Sequence, residues 1–367
     1  MAKPVVILAA GGTGGHIFPA LSVGEVLIKA GWKPVFMTDA RGRHMIPDEY
    51  SCVTISAASP FAASLRMRLW RLSRLGLGFM MSALTILIRR PKAVIGFGGY
   101  PAVAPVLAAR GFRLPVMLHE QNASMGRANQ FLAKRAKILA TSWPVTKGIA
   151  QDKSAQIVVT GTPVRAAFHQ IGQDGYNPPQ ENGPVRLLIV GGSLGASIFG
   201  DTVPEAISRL PDALKKRLKL VHQVRAEQTE AVRERYQNNG IDAVITPFIK
   251  DMATEMRQAH LVICRAGASS VAELAAAGRP ALLVPYPNAM DDHQTANAKV
   301  IHDIGGGWLT PEVEMSAGSL AGKIAALTAD PAKLTIAATN VLQLAKPEAA
   351  HELAELVMTM TERRAAS

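Results

Sequence analysis

The sequence predicts an α/β chain made of two domains of the nucleotide-binding type, each a parallel sheet flanked by helices, the two sheets facing across a cleft. Three observations predict it. A short apolar run enters a glycine turn at matching places in each half: Val5 to Ala9 runs into Gly11-Gly12-Thr13-Gly14-Gly15-His16, and Leu187 to Val190 into Gly191-Gly192-Ser193-Leu194-Gly195. A second pair repeats the pattern, Ala93 to Gly96 entering Gly98-Gly99-Tyr100 and Leu261 to Cys264 entering Arg265-Ala266-Gly267. After each of the second pair comes an alanine-rich helical pattern, then Gly111 with Pro115 or Gly278 with Pro280, then another buried strand, Val116 to Leu118 or Ala281 to Val284.

A length of 367 residues suits about two domains, each large enough for its own core. With 48% hydrophobic and 19% charged residues the chain reads as folded and globular, which excludes a disordered protein. Cys52 and Cys264 lie far apart in apolar runs, so neither a disulfide framework nor a zinc cluster is supported, and a reducing cytoplasm fits. The run Val5 to Ala10 lacks a cleavage pattern, so no export signal is expected. The longest uncharged stretch, Ala93 to Ala109, is broken by Gly96, Gly98, Gly99, Pro101 and Pro105, and no bilayer-spanning segment is expected.

The first domain is expected over residues 1–163, where Gly161-Thr162-Pro163 interrupts the strand and helix alternation. The second is expected over 164–346, its sheet starting at Arg186 after a loop rich in Gly, Pro, Gln and Asn. Pro347 opens a last helix, 347–367, in which Leu353, Leu356, Val357 and Met360 share a stripe; it is expected to pack back on the first domain.

The net charge of +12 is unevenly spread. From Leu65 to Arg90, Arg66, Arg68, Arg71, Arg74, Arg89 and Arg90 interleave with apolar residues that include Trp70. At helical spacing Leu65, Leu69, Leu72, Leu75 and Phe79 share a face, with Arg66, Arg71 and Arg74 away from it. Two readings stand. The apolar face packs on the domain core as in any amphipathic helix, or the segment attaches to an anionic membrane surface, where each basic residue near the headgroups contributes about 1 kcal/mol.

A glycine turn after a strand lets backbone amides approach a phosphate, and the following helix N-terminus favours negative charge by about 0.3 to 2 kcal/mol. One such turn also serves plain strand-to-helix packing; two at equivalent places favour a ligand. Neither is a dinucleotide fingerprint, because Ile17 stands where a third glycine is needed, so NAD is disfavoured. No P-loop is present: Gly318 to Lys323 has the wrong spacing and is followed by Ile324.

The motifs Gly11-Gly12-Thr13-Gly14-Gly15-His16, Gly98-Gly99-Tyr100-Pro101, His119-Glu120-Gln121-Asn122, Gly161-Thr162-Pro163-Val164-Arg165, Gly191-Gly192-Ser193, Arg265-Ala266-Gly267-Ala268 and Asp291-Asp292-His293-Gln294 occur together and in this order. The chain thereby resembles, over nearly its whole length, the MurG family of peptidoglycan glycosyltransferases. The resemblance implies a GT-B fold of two Rossmann-like domains. It implies transfer of N-acetylglucosamine from UDP-N-acetylglucosamine to the undecaprenyl-linked muramyl-pentapeptide called lipid I, giving lipid II. It further implies peripheral attachment at the cytoplasmic face of the bacterial inner membrane, no cofactor, and cell-wall synthesis proteins as candidate partners.

By position, the resemblance puts Thr13, Gly14 and Gly15 at the diphosphate and acceptor edge of the cleft and Asn122 on the donor sugar. Arg165 and Ser193 would contact UDP, Ile249 the uracil through its backbone, and Gln294 the sugar hydroxyls. The turn from Ala266 to Ser270, with Ala268 and Ser269, begins a helix whose amides suit a pyrophosphate. Glu273, one turn inside, suits the ribose hydroxyls; its rival reading is a capping box with Ser270. Leu194 and Thr162 depart from the glutamine and asparagine common at those places, which puts a polar contact from residue 194 in doubt.

Displacement at the anomeric carbon needs a base for the acceptor hydroxyl and positive character at the leaving diphosphate. His16 is placed for the base or for holding acceptor phosphate, against a structural histidine. His119 and Glu120 are the rival pair, against a hydrogen-bonded strand end. Arg165 and helix dipoles would stabilise the leaving group. No D-x-D is present to hold a divalent cation, and Asp291-Asp292-His293 are adjacent loop residues that seldom converge on one ion, so no metal is expected. A UDP-N-acetylglucosamine 2-epimerase is the alternative enzyme. A nucleic-acid-binding module is disfavoured, because only 5% of residues are aromatic and no recognition motif is visible.

Overall fold

The computed structural model describes residues 3–58, 64–149, 155–192 and 195–365. The chain divides into two compact units, Met1–Arg165 with Lys346–Ser367, and Ala166–Ala345.

In the first unit seven parallel strands run in the order β3-β2-β1-β4-β5-β6-β7, where β1 is Val5–Ala9, β2 Lys33–Thr38, β3 Cys52–Thr54, β4 Ala93–Gly96, β5 Val116–Glu120, β6 Ile138–Thr141 and β7 Gln156–Val159. Val6 and Leu8 face one apolar cluster, Ile7 and Ala9 the other. Helices cover both faces, so the strands read as unbroken apolar runs. The order reverses between β1 and β4, where such sheets gather ligands at their carboxyl ends. β5 runs two residues beyond its expected end, because His119 and Glu120 pair with Ala140 and Thr141 of β6.

The helix Ala349–Ala365 starts two residues after Pro347. Its Leu353, Ala354, Val357 and Met360 are buried in one cluster with Ile17, Ala20, Val23 and Leu27 of the helix Gly14–Lys29.

Of the two readings of the helix Leu65–Arg89, the one that turns its apolar face to the core is not what the structure shows. Leu69, Trp70, Leu72 and Phe79 are exposed, as are Met80, Leu84, Leu87 and Ile88, and Leu75 is only partly buried. The packed side is mixed instead: Gly78, Ser82, Thr85 and Ile86 are buried. Gly78 makes this possible, because a Cβ there would collide with the Ser56 carbonyl oxygen. Ser82 and Thr85 are buried at little cost, since their hydroxyls donate to Gly78 O (2.7 Å) and Met81 O (2.8 Å). Arg74 turns inward, donating from Nε to Ser56 Oγ at 3.1 Å with its guanidinium 5.0 Å from the Trp70 ring centre. By length and composition alone Arg66–Arg89 is apolar enough to cross a membrane.

In the second unit six parallel strands run β10-β9-β8-β11-β12-β13, with β8 Val185–Val190, β9 Leu218–Gln223, β10 Asp242–Thr246, β11 Leu261–Cys264, β12 Ala281–Leu283 and β13 Gly307–Leu309. The reversal falls between β8 and β11, the counterparts of β1 and β4. Both cysteines are free, and burial pushes the Cys264 thiol up to about 12, which leaves it inert.

Candidate functional site

In the first unit the glycine turns after β1 and β4 lie against each other at the reversal point. Gly11 N donates to Gly98 O at 3.0 Å. Thr13, Gly14, Gly15 and His16 open the helix Gly14–Lys29, with Thr13 at its N-cap in extended conformation. The Thr13 hydroxyl meets His16 Nδ1 at 2.9 Å, a contact that fits either imidazole tautomer. A Cβ on Gly98 would lie 3.1 Å from the His16 ring, so the second turn closes one side of the imidazole.

His119 and Glu120 are brought to the same strand ends, in the hydrogen-bonded state that was the alternative to a base. His119 is fully buried. Gln121 Nε2 donates to its Nδ1 at 3.0 Å, and its Nε2 faces Gly161 O at 2.9 Å; together these assign the neutral tautomer with the proton on Nε2. Desolvation holds its pKa down at about 4. Both nitrogens are engaged, so the ring has no basic lone pair to offer. The Glu120 carboxylate is buried and accepts four bonds: Asn122 N (3.0 Å) and Nδ2 (3.1 Å) on Oε1, Gly126 N (3.0 Å) and Asn129 Nδ2 (2.8 Å) on Oε2. It fixes the loop that carries Asn122 and caps the start of the helix Arg127–Leu132. Arg165 is exposed, with its guanidinium 5.2 Å from the Phe18 ring centre.

In the second unit, Ser193 lies outside the described residues. Its neighbour Gly192 has φ +83°, and Gln223 Nε2 donates to Gly192 O (3.2 Å) and to Pro247 O (3.4 Å). One side chain at the end of β9 thus ties the glycine turn to the segment that leads to Ile249, itself buried. After β11 the helix Ala268–Ala277 begins, with Gly267 at its N-cap and Ala268 and Ser269 as its first two residues. The capping-box reading of Glu273 therefore fails: Ser270 is the third residue inside the helix, and Glu273 the sixth. Asn297 is fully buried and donates from Nδ2 to Ala266 O at 3.1 Å, which fixes the turn. Gln294 Oε1 accepts from Tyr286 N at 2.9 Å. His293 Nδ1 lies 2.6 Å from Met290 O, and Asp291 and Asp292 have positive φ. Among the described residues no group of three or more His, Cys, Asp or Glu is placed to hold a metal ion.

Arg265, singled out only as part of a motif, is more than that. It is buried, pairs with Glu312 at 2.5 Å, donates from Nη1 to Val284 O (3.2 Å) and Pro285 O (3.1 Å), and lies 5.2 and 5.3 Å from the ring centres of Phe199 and Tyr286. Gln121 too was read only as part of a motif, and sequence reasoning missed Asn129, Gln223 and Asn297. Each is a polar residue in or beside an apolar strand or helix pattern, and that misplacement is the signal that could have found them.

Residues 6–141 match the glycosyltransferase family 28 N-terminal domain, and residues 186–353 the family 28 C-terminal domain. The UDP-N-acetylglucosamine–N-acetylmuramyl-(pentapeptide) pyrophosphoryl-undecaprenol N-acetylglucosamine transferase of Rhodospirillum centenum is 42% identical over 360 residues, 98% of this chain and 95% of that protein. The enzyme of the same name from Methylobacterium radiotolerans is 43% identical, covering 98% of each chain. The crystal structure of Acinetobacter baumannii MurG superposes with a TM-score of 0.77 at 33% identity, over 97% of this chain and 99% of that one. A UDP-N-acetylglucosamine 2-epimerase from Listeria monocytogenes, described as putative in its own title, is 15% identical at a TM-score of 0.65, a likeness of fold alone. The ordered motifs, the two family domains and the near-full-length relatives agree: the chain is a glycosyltransferase of the GT-B fold and belongs to the MurG group of family 28.

Proposed function

We propose that this enzyme transfers N-acetylglucosamine from UDP-N-acetylglucosamine to the 4-hydroxyl of the muramyl sugar of lipid I, with inversion, giving lipid II. The observation that carries the reading is the turn between β11 and the helix Ala268–Ala277, braced by Asn297, which aims a helix N-terminus outward from the carboxyl end of the sheet. Those amides suit the donor diphosphate, and Glu273, one turn inside the same helix, suits the ribose hydroxyls. Ser193 and Ile249 are assigned to the uridine part, and Asn122 and Gln294 to the sugar.

In the reaction the acceptor oxygen forms the new bond to the anomeric carbon as the bond to the UDP oxygen breaks. UDP leaves with that electron pair, and the acceptor proton passes to a base. His16 is our choice for that base: with the proton on Nδ1 directed at Thr13 Oγ1, Nε2 is the basic nitrogen. Glu120 positions Asn122 from behind; His119 ties the end of β5 to Gly161. Gly14 and Gly15 offer amides on the acceptor side beside Thr13, whose own amide is spent on Gly11 O (2.9 Å), and Arg165 and a helix dipole oppose the charge developing on the leaving diphosphate.

The same reading seats the enzyme on an anionic membrane surface through the exposed row of the helix Leu65–Arg89, Leu69, Trp70, Leu72 and Phe79 among it. This row faces away from its own fold, and its partly buried Leu75 roots it there.

The test is transfer of labelled N-acetylglucosamine to a short-chain lipid I analogue, repeated with His16→Ala and Glu120→Ala. Conversion of UDP-N-acetylglucosamine without any acceptor would instead establish the epimerase alternative.

A further inference from the structure

The first unit carries a second cavity at the opposite end of its sheet from the glycine turns. It has a volume of about 490 Å³, within the usual span of about 300–1,000 Å³ for small-ligand sites. Lys92 and Leu114 lie just before β4 and β5, at the amino ends of the strands, so a strand length of roughly 15 Å separates this cavity from the first unit's own glycine turns. The floor is apolar: Ile86, Pro91 and Leu114 are buried. Leu87 and Phe112 form an exposed apolar rim that continues into Leu84 and Ile88.

Two cations, Arg90 and Lys92, overhang this floor, and their backbones are fixed by bonds from Arg90 N to Ile86 O (2.8 Å) and from Lys92 N to Val5 O (2.7 Å). The last carbonyls of the helix Leu65–Arg89 would repel an anion, but Arg89, Arg90 and Lys92 follow within four residues and outweigh them. Between Tyr50 and His119 the sequence has nine Lys or Arg residues and no Asp or Glu, so no acidic side chain of that span competes for these cations. The Thr361 hydroxyl, from the helix Ala349–Ala365, donates to Met358 O at 2.7 Å and presents its oxygen lone pairs, not its proton, at the far wall.

We propose that this cavity binds one anionic glycerophospholipid, its phosphate held by Arg90 and Lys92 and an acyl chain laid along Leu87 and Phe112. The proposal rests on the membrane seating argued above and goes beyond it, from a surface attraction to a single-lipid site. Two cations over an apolar floor match the junction of headgroup and chain, and the exposed rim opens the cavity toward the same surface as the apolar row. A free phosphate ion would gain nothing from that floor.

The test titrates the full chain with dihexanoyl phosphatidylglycerol below its aggregation concentration, by calorimetry. Saturable binding of one lipid per chain is expected, at least tenfold weaker for Lys92→Glu and for Phe112→Ser. Both residues are on the surface, so unchanged circular dichroism will certify the variants; Arg90→Asn, suited to the left-handed backbone at φ +48°, serves if either misfolds. Inorganic phosphate is expected to bind at least a hundredfold more weakly. Wild type and variants binding alike, or phosphate matching the lipid, would overturn the proposal. Sedimentation with phosphatidylglycerol vesicles separates the two layers of the argument: vesicle binding without monomer binding sinks the site and leaves the seating, while loss of both sinks both.

Discussion

Gly11 and Gly99 touch through their backbones at the reversal point of the first sheet: a Cβ on Gly99 would lie 2.8 Å from the Gly11 Cα. Gly99 also has φ +73° and ψ 160°, a region essentially closed to other residues. Gly99→Ala is therefore expected to cost about 2–4 kcal/mol, strain and collision together. Gly76→Ala, in the interior of the helix Leu65–Arg89 with nothing within 4 Å of the new carbon, is expected to be neutral or stabilising by up to about 1 kcal/mol. Urea unfolding of the two variants checks both, and equal midpoints would refute the contact.

The buried histidines make stability depend on pH. The His119 pKa is held at about 4 and that of His222 at about 3, both by desolvation, against about 6.5 in the unfolded chain. The unfolded state thus binds more protons below about pH 6.5. This stabilisation is complete above that pH and is lost as pH falls toward 4, by about 3 kcal/mol for His119 alone. Denaturation midpoints between pH 7.5 and 4.5 should fall steeply in the wild type and more gently in His119→Gln.

Glu120→Gln puts an amide group among donors that a carboxylate satisfied. A loss of about 2–4 kcal/mol is expected, because one amide N–H₂ must face donors and the charge-assisted bonds are gone. Residual activity should extrapolate to a kcat reduced far less than that of His16→Ala, measured where both variants are fully folded. A larger kcat loss in Glu120→Gln would return it to the role of base.

Glu273→Gln separates ribose binding from helix capping. With Gly267 at the N-cap, stability should stay within about 0.5 kcal/mol of wild type while KM for UDP-N-acetylglucosamine rises about tenfold or more. A stability loss with unchanged KM would reverse the assignment.

Trp70→Ser with Met80→Ser removes two large exposed apolar side chains from the outer row of the helix Leu65–Arg89. Partition onto phosphatidylglycerol vesicles should fall at least tenfold, since each side chain buried in the interface contributes about 1.5–3 kcal/mol. The unfolding midpoint should not change.

What the sequence made legible followed from backbone rules. The strands β1, β4, β8 and β11 and the turns after them were readable because short apolar runs meeting glycines leave few alternatives. The helix Leu65–Arg89 stayed open to two readings because periodicity finds an apolar face without saying what covers it; Gly78 packs against Ser56, Ser82 and Thr85 are buried, and Leu69, Leu72, Leu84 and Leu87 face out. His119 and Glu120 were located but not their state, because Gln121 had no role assigned within its motif and Asn129 belongs to none, and these two complete their hydrogen bonds. The brace of Arg265 and Glu312 joins residues 47 positions apart, a pairing that spacing alone does not reveal.

The return of the Ala349–Ala365 helix to the first unit makes the second unit, in chain terms, an insertion. Ribosomes deliver residues 166–345 as one uninterrupted stretch, and the segment that seals the Ile17 and Val23 side of the first sheet emerges only after it. The amino-terminal half must therefore wait, with that apolar surface uncovered, through the synthesis of everything between, on the order of ten seconds or more at about 5–20 residues per second. Premature termination anywhere before Leu353 costs this half its seal, and chaperone demand is set by the tail of the message.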